Sequence, residues 1–197
     1  MKPCLSEITE KQNERAGYSY SGKSGDYFIN VSQRGIYLSG SLAKNYFGDN
    51  LHTLTRRDAE QAIEQLSDNL HLNIDAARVT RLDVSTIIPT KRPPADYYSH
   101  LGDKPRFKRI QATTDTLYYD NRQRQIIFYD KTKEATAKGV VIPEIWQGCN
   151  LLRYELRYRQ RLNKQLNTDL TAGKLYETEF YRAVIQSWYN EFKTIQK

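Results

Sequence analysis

The chain has 197 residues, of which 39% are hydrophobic and 15 are tyrosine, and its 30 Lys+Arg against 23 Asp+Glu leave a net charge of +7. This length fits one domain, with two small domains as the alternative. No run approaches the roughly 18 apolar residues of a membrane span, and Cys4 and Cys149 lack the spacing of a zinc site or a disulfide framework. The basic charge favours a polyanionic partner, although a basic protein without such a partner is an equal alternative on charge alone. The absence of a secretory signal predicts a cytoplasmic protein.

The first part of the chain predicts a short polar helix or arm, a sheet and a helix. Residues 5–16 are polar, and apolar–polar alternation from Tyr18 to Leu38 predicts a meander of about three antiparallel strands. Thr55 can cap a helix whose apolar positions keep the 3.6-residue period as far as Leu70. The next segment, 77–88, predicts one long strand that ends at Pro89.

The remainder alternates short strands with short helices. Pro93 and Pro94 can open a short helix that runs to Leu101. Strands are predicted at 105–111, 115–119, 124–130 and 151–159, and helices at 131–138, 160–167 and 175–195. These elements indicate an α+β fold with an antiparallel β-sheet and three to four packed helices. We expect a single domain over residues 1–197.

The strand at 77–88 carries an acidic residue among apolar ones. Alternation places Arg81, Asp83 and Ser85 on one face. A carboxylate in such a strand needs a partner, because an unpaired buried charge is costly. A divalent cation and an arginine ion pair are both open as that partner.

The strand at 151–159 has one apolar face and one face rich in arginine. Arg153, Glu155, Arg157 and Arg159 share the charged face, and Glu155 alone cannot pair with three arginines. Binding of phosphate is one use of such a face, and a solvated strand face is the alternative. We expect a DNA-binding set that extends along the chain and comprises Arg81, Arg153, Arg157, Arg159, Arg161 and Lys164.

A third segment ends in a tyrosine that could act as a nucleophile. Tyr129 closes the apolar strand at 124–130, just before a charged pair of residues. Its phenol could attack covalently if a metal or base activated it, and Lys131 could lower its pKa or hold a phosphate. Because tyrosine is common in this chain, packing is the alternative role.

In their order along the chain, these segments resemble the phage and plasmid replication proteins of the gene II/X family and the replication initiators of rolling-circle plasmids. The matching segments are residues 79–84 (VTRLDV), 116–119 (TLYY), 127–131 (IFYDK) and 152–157 (LRYELR). Residues 38–50 (LSGSLAKNYFGDN) are similar to a segment that precedes the first helix of the phage proteins. The resemblance covers residues 17–195 and implies a rolling-circle replication-initiator architecture.

The resemblance also implies an activity, which is initiation of rolling-circle replication by nicking one origin strand. Tyr129 would become linked to the 5′ phosphate, with Tyr119 and Tyr118 as rivals for this role. Asp83 and Glu155 would be acidic ligands of Mg²⁺ or Mn²⁺. The expected partner is single- or double-stranded origin DNA, with host replication proteins as further candidates. Binding to a membrane is not expected.

The chain departs from the family in ways that keep other functions open. The His-apolar-His pair of many rolling-circle nickases is absent from the sequence. Relatives usually have a hydrophobic strand before the first segment and continue past the last helix, so we expect either a fragment or a short regulatory product. A non-catalytic DNA-binding regulator is therefore the main alternative. An RNA-binding module with stacking tyrosines is the third.

Overall fold

The computed structural model describes residues 6–13 and 17–196, apart from the side chain of Asn13. The chain divides into two compact units, one that ends at Ile74 and one that begins at Asp75. Each unit contains an antiparallel sheet and helices, which confirms the α+β class, although the strands form two sheets. The single domain over residues 1–197 stays a prediction. Cys4, and residues 5 and 14–16 of the predicted polar helix or arm, lie outside the described residues.

The sheet of the first unit has four strands in the order β1-β2-β3-β4. They are β1 (Ser6–Asn13), β2 (Gly17–Ser24), β3 (Tyr27–Ser32) and β4 (Gly35–Ser39). Strands β2 to β4 confirm the predicted meander. The prediction of a helix or arm over residues 5–16 is wrong for residues 6–13, because these residues form an edge strand that pairs with β2. Across this pair, Glu10 lies opposite Tyr20 and accepts a hydrogen bond of 3.3 Å from its hydroxyl.

Two helices follow in the first unit. Helix α1 (Leu42–Phe47) was not predicted, and the hydroxyl of Ser41 caps its N-terminus. Helix α2 (Arg56–Leu70) confirms the prediction and begins with a capping box. In that box the Thr55 hydroxyl accepts from the Asp58 amide at 3.2 Å, and the Asp58 carboxylate accepts from the Thr55 amide at 2.8 Å. The predicted apolar positions Ala59, Ala62, Ile63 and Leu66 are buried.

The sheet of the second unit has five antiparallel strands in the order β5-β9-β8-β7-β6. They are β5 (Leu82–Thr90), β6 (Lys108–Thr113), β7 (Thr116–Asp120), β8 (Arg124–Asp130) and β9 (Asn150–Tyr158). The last strand along the chain, β9, therefore lies between β5 and β8. This order brings the three segments singled out in the sequence onto neighbouring strands.

Strand β5 differs at both ends from the strand predicted at 77–88. It begins at Leu82, because the preceding residues pair elsewhere: Arg78 forms an isolated bridge with Thr171, and the Val79 amide donates to the Leu170 carbonyl at 2.9 Å. It also passes through Pro89 to Thr90. Proline is tolerated there because β5 is an edge strand, where an N–H can be missing without loss of a ladder hydrogen bond.

The helices of the second unit are α3 (Ala95–Tyr98), α4 (Lys131–Ala137), α5 (Leu162–Leu166) and α6 (Thr178–Lys193), with 3₁₀ turns at Glu144–Trp146 and Gly173–Tyr176. One face of the five-stranded sheet packs into the core with the apolar side of α6. Tyr154 of β9 stacks on Phe128 with ring centroids 4.9 Å apart. Its hydroxyl donates to the Trp188 carbonyl of α6 at 2.8 Å.

Among the described residues, no helix is both long enough and apolar enough to cross a membrane.

Candidate active site

The opposite face of the five-stranded sheet carries a group of polar side chains that includes five of the predicted site residues. We call it the polar face and define it by Tyr129 and Gln125 of β8, Arg153, Glu155 and Arg157 of β9, and Asp83 and Ser85 of β5. Strand register fixes their neighbours. Tyr129 lies opposite Arg153, Ser85 lies opposite Glu155, and Arg157 lies between Gln125 and Asp83.

The two predicted acidic residues lie on this same face and are joined by an arginine. The Nε of Arg157 donates to Oε1 of Glu155 and lies 3.4 Å from Oδ2 of Asp83. Asp83 also accepts two hydrogen bonds from Arg81, at 2.9 and 2.6 Å. The two carboxylates therefore lie on one side of the sheet and share Arg157. In this arrangement their partner is the arginine ion pair, which was one of the two alternatives drawn from the sequence.

The environments of the two carboxylates differ. The side chain of Glu155 is buried with 8% exposure, whereas that of Asp83 is 33% exposed. The Nε of Arg153 lies 3.9 Å from Oε2 of Glu155. The Nη2 of Arg153 donates to the Ser85 hydroxyl at 2.5 Å. Three guanidinium groups thus surround two carboxylates, an arrangement that attracts an anion such as a DNA phosphate.

A shared divalent cation would need these same carboxylates. Their hard oxygens and common face fit Mg²⁺ or Mn²⁺, which proteins commonly bind through one or two carboxylates together with substrate phosphates. Within residues 6–13 and 17–196, no group of three His, Cys, Asp or Glu side chains forms a metal-ligand cluster. Asp83 and Glu155 would therefore need oxygens from DNA to complete the coordination.

Tyr129 is placed by β8 on the same face as the arginines and carboxylates. Burial raises the pKa of its phenol to about 12, while Arg153 opposes the rise and Glu155 adds to it. The phenol is therefore protonated at neutral pH, and it needs activation before it can act as a nucleophile.

The two rival tyrosines are placed differently. Tyr119 is fully buried in the core on the opposite face, and its hydroxyl donates to the carbonyls of Leu101 and Gly102 at 3.0 and 2.7 Å. Tyr118 lies opposite Ile127 of β8 and so shares the face of Tyr129. Tyr118 is thus the rival whose hydroxyl is on the side of the predicted metal ligands.

Lys131 is the first residue of α4, and its side chain is buried, with 2% of its surface exposed. Its Nζ lies 2.5 Å from Oε2 of Glu134 and 6.0 Å from the centroid of the Tyr129 ring. Burial lowers the pKa of Lys131, and the hydrogen bond to Glu134 opposes this. The ammonium group thus pairs with Glu134, and the charges that shift the pKa of Tyr129 are those of Arg153, Glu155, Glu134 and Arg157. A role of Lys131 in activating Tyr129 or holding a phosphate stays a prediction.

Two further predicted DNA-binding residues, Arg159 and Arg161, line one cleft of the second unit. The cleft has a volume of about 670 Å³, and its charged lining residues are Arg78, Arg159, Arg161 and Asp169. Arg159 donates to the Asp120 carboxylate and to the Asn121 carbonyl at 2.7 Å. Arg161 and the nearby Lys164 of α5 are exposed. The predicted DNA-binding set is therefore divided between this cleft and the polar face.

The sequence interpretation missed Arg78 and Gln125. Arg78 joins the cleft because it bridges to Thr171, and Gln125 joins the polar face because it lies opposite Arg157. The alternation of β8 could have placed Gln125 on the face of Tyr129. No local pattern could have found Arg78, since its partner is distant in the sequence.

Comparison with known proteins gives one family. Residues 16–187 match a family model that describes the N-terminal region of a phage replication-associated protein of the gene II type. No curated protein matches the chain.

Proposed function

Because the chain belongs to this family of phage replication-associated proteins, we propose that it initiates rolling-circle replication by nicking one strand of origin DNA. The observation that carries this proposal is the placement of Tyr129 beside Arg153, on the same sheet face as Asp83, Glu155 and Arg157. A nucleophile, phosphate-binding cations and acidic groups thus share one surface.

The proposed reaction is a transesterification. The Tyr129 hydroxyl loses its proton to solvent hydroxide, and its oxygen attacks the scissile phosphorus. The bond from phosphorus to the 3′ oxygen breaks, and that oxygen takes up a proton to leave a 3′ hydroxyl that can prime synthesis. The 5′ phosphate stays on the tyrosine as a phosphodiester. Attack by a 3′ hydroxyl on this linkage would rejoin the strand and free the tyrosine.

Arg153 and Arg157 would stabilise the transition state of this reaction. Negative charge develops on the non-bridging oxygens during attack, and guanidinium groups placed beforehand stabilise it. Asp83 and Glu155 would hold Mg²⁺ or Mn²⁺, which when bound polarises the scissile phosphate. The approach of a DNA phosphate would offer Arg157 another anion besides the two carboxylates, so that it could release them as the metal binds.

The exposed cations would guide the rest of the DNA. Arg81 has a half-exposed side chain, and Arg161 and Lys164 are exposed near the cleft, so all three can reach phosphates. Arg159 would take part through the same cleft. Host replication proteins remain candidate partners in this proposal.

A second function, a DNA-binding regulator that does not nick, is favoured by the pairing of Arg157 with both carboxylates. Burial also raises the pKa of the Tyr129 phenol to about 12, which makes its ionisation harder. If no bound phosphate displaces Arg157, the same surface would bind DNA without chemistry.

Incubation with a supercoiled plasmid that carries the origin of its own replicon separates the two functions. With Mg²⁺ or Mn²⁺, the nicking hypothesis predicts open circles on a gel and loss of nicking in Tyr129→Phe, which removes one oxygen. Tyr118→Phe is the matched control and should nick like the unmodified chain. DNA binding without open circles under any divalent metal would favour the regulator. Nicking that survives in Tyr129→Phe but not in Tyr118→Phe would transfer the nucleophile to Tyr118.

A further inference from the structure

The first unit contains a small cavity lined by uncharged polar side chains. It has a volume of about 100 Å³ and lies where the β2–β3 turn meets α1 and α2. We call it the amide cavity and define it by Tyr27, Asn45, Tyr46, Gln65, Leu66 and Asn69. Its described lining residues include no Lys, Arg, Asp or Glu. An ionic ligand would therefore find no opposite charge in it.

Two buried polar atoms of this cavity lack hydrogen-bond partners among the described residues. They are the hydroxyl of Tyr27 and the Nδ2 of Asn45, although most buried polar groups in native proteins are paired. Tyr27 is only 5% exposed. Its ring packs on Gly40 so closely that a Cβ at Gly40 would lie 2.3 Å from the ring. The ring is therefore held in place, which fixes the position of the hydroxyl oxygen.

The chemistry of the amide cavity selects a neutral, planar ligand that forms hydrogen bonds. Amide side chains present a donor and an acceptor side by side, which is the pattern that reads the edges of nucleobases. The rings of Tyr27 and Tyr46 and the side chain of Leu66 supply apolar surface for a flat ligand. A volume of about 100 Å³ equals roughly three water molecules, so it admits the edge of one ring.

The distribution of charge supports the same ligand. Residues 1–74 carry 8 Lys+Arg and 9 Asp+Glu, whereas residues 75–197 carry 22 Lys+Arg and 14 Asp+Glu. Phosphate attraction therefore belongs to the second unit. Because phosphate contacts position DNA and base contacts specify its sequence, an uncharged cavity in the other unit fits a base.

We propose that the amide cavity binds the edge of one unpaired nucleobase, with the Tyr27 hydroxyl and the Asn45 amide as hydrogen-bond partners. The inference rests on the proposed function only in taking DNA as the partner. It assigns to the first unit a part in reading the origin after a base has left the duplex stack, as enzymes that act on extruded bases do.

Titration of the ¹⁵N-labelled full chain with each of the four deoxynucleosides tests the inference without any phosphate. At least one nucleoside should shift the side-chain amide signals of Asn45 and Gln65 in a saturable way. Tyr27→Phe should weaken that binding about two- to tenfold, the effect of one lost hydrogen bond. Tyr37→Phe is the matched control, because Tyr37 is an exposed tyrosine of the same sheet. It should bind like the unmodified chain, and 2-deoxyribose 5-phosphate should leave the Asn45 and Gln65 signals unmoved.

The inference is overturned if no nucleoside shifts these signals up to its solubility limit, or if both Tyr27→Phe and Asn45→Leu bind as the unmodified chain does. Tyr27→Phe removes a hydroxyl without a described partner, so its Tm should not fall, and weaker binding would not be a folding defect. A chain that nicks plasmid but binds no nucleoside contradicts only this inference. A chain that binds nucleosides but never nicks contradicts only the proposed nicking.

Discussion

The protonation state of the Tyr129 phenol limits the rate of the proposed nicking. Burial raises the pKa of Tyr129 from 10.0 to about 12, so the fraction of phenolate grows about tenfold for each pH unit below that value. We predict that the nicking rate rises with pH by about tenfold per unit between pH 7 and 9, measured under single-turnover conditions. A rate that stays flat over this range would show that deprotonation of a buried tyrosine does not limit the reaction.

The same shift has a consequence for folding. The pKa of Tyr129 is higher in the folded chain than in the unfolded one, so the protonated phenol stabilises the fold. This contribution is present below pH 10 and is lost as pH rises towards 12.

Arg157 pairs with both proposed metal ligands, Asp83 and Glu155. It therefore competes with a divalent cation for these two carboxylates. We predict that Arg157→Gln removes the cation that the two carboxylates share, leaves the Arg81–Asp83 pair in place, and tightens Mn²⁺ binding about threefold, as expected for removal of a partly exposed ion pair. The same variant should lose about one unit of the salt slope of DNA binding. Titration calorimetry with MnCl₂ measures the first effect. Arg122→Gln, at an exposed position, is the control. Unchanged Mn²⁺ binding in Arg157→Gln would argue against Asp83 and Glu155 as ligands.

At the scale of elements, local patterns predicted most of the fold. Helix α2 was predicted because Thr55 supplies a cap and the apolar residues keep one period. Strand β8 was predicted from its apolar run and β9 from its alternation of apolar and charged residues. Strand β1 was missed because both of its faces are polar and its stability comes from pairing with β2. The position of β9 between β5 and β8 depends on long-range pairing. Consequently the sequence could place Asp83 and Glu155 on strand faces, but it could not identify Arg157 as their common partner.

The contact between β9 and α6 packs the core face of the sheet that supports the site. Tyr154 donates across this contact to the Trp188 carbonyl, and we predict that Tyr154→Phe lowers the free energy of unfolding by about 1 kcal/mol. Urea denaturation measures this, with Tyr37→Phe, at an exposed tyrosine, as the control. Nicking at 25 °C should persist in Tyr154→Phe, because the hydroxyl lies on the core face. A variant as stable as the unmodified chain would mean that this hydrogen bond does not contribute.

At the scale of the whole molecule, the excess of positive charge lies in residues 75–197. DNA affinity should therefore fall steeply with salt, because neutralised phosphates release counterions. We predict that Arg161→Gln and Lys164→Gln each reduce the slope of log affinity against log salt by about one. Fluorescence anisotropy between 50 and 200 mM salt measures it. Lys138→Gln, at an exposed lysine of the second unit away from the cleft residues, is the control. Binding that does not change with salt would exclude a phosphate-driven interface.

In the proposed reaction Tyr129 becomes joined to DNA, and peptide mass spectrometry of the protein–DNA adduct identifies the joined residue. The chain is incubated with origin DNA and Mn²⁺, the DNA is digested to a single nucleotide, and the modified peptide is sequenced. We predict a nucleotide attached through its 5′ phosphate to Tyr129, and no adduct in Tyr129→Phe. An adduct on Tyr118 or any other residue, or the absence of any adduct while strands are cut, would show that Tyr129 is not the nucleophile.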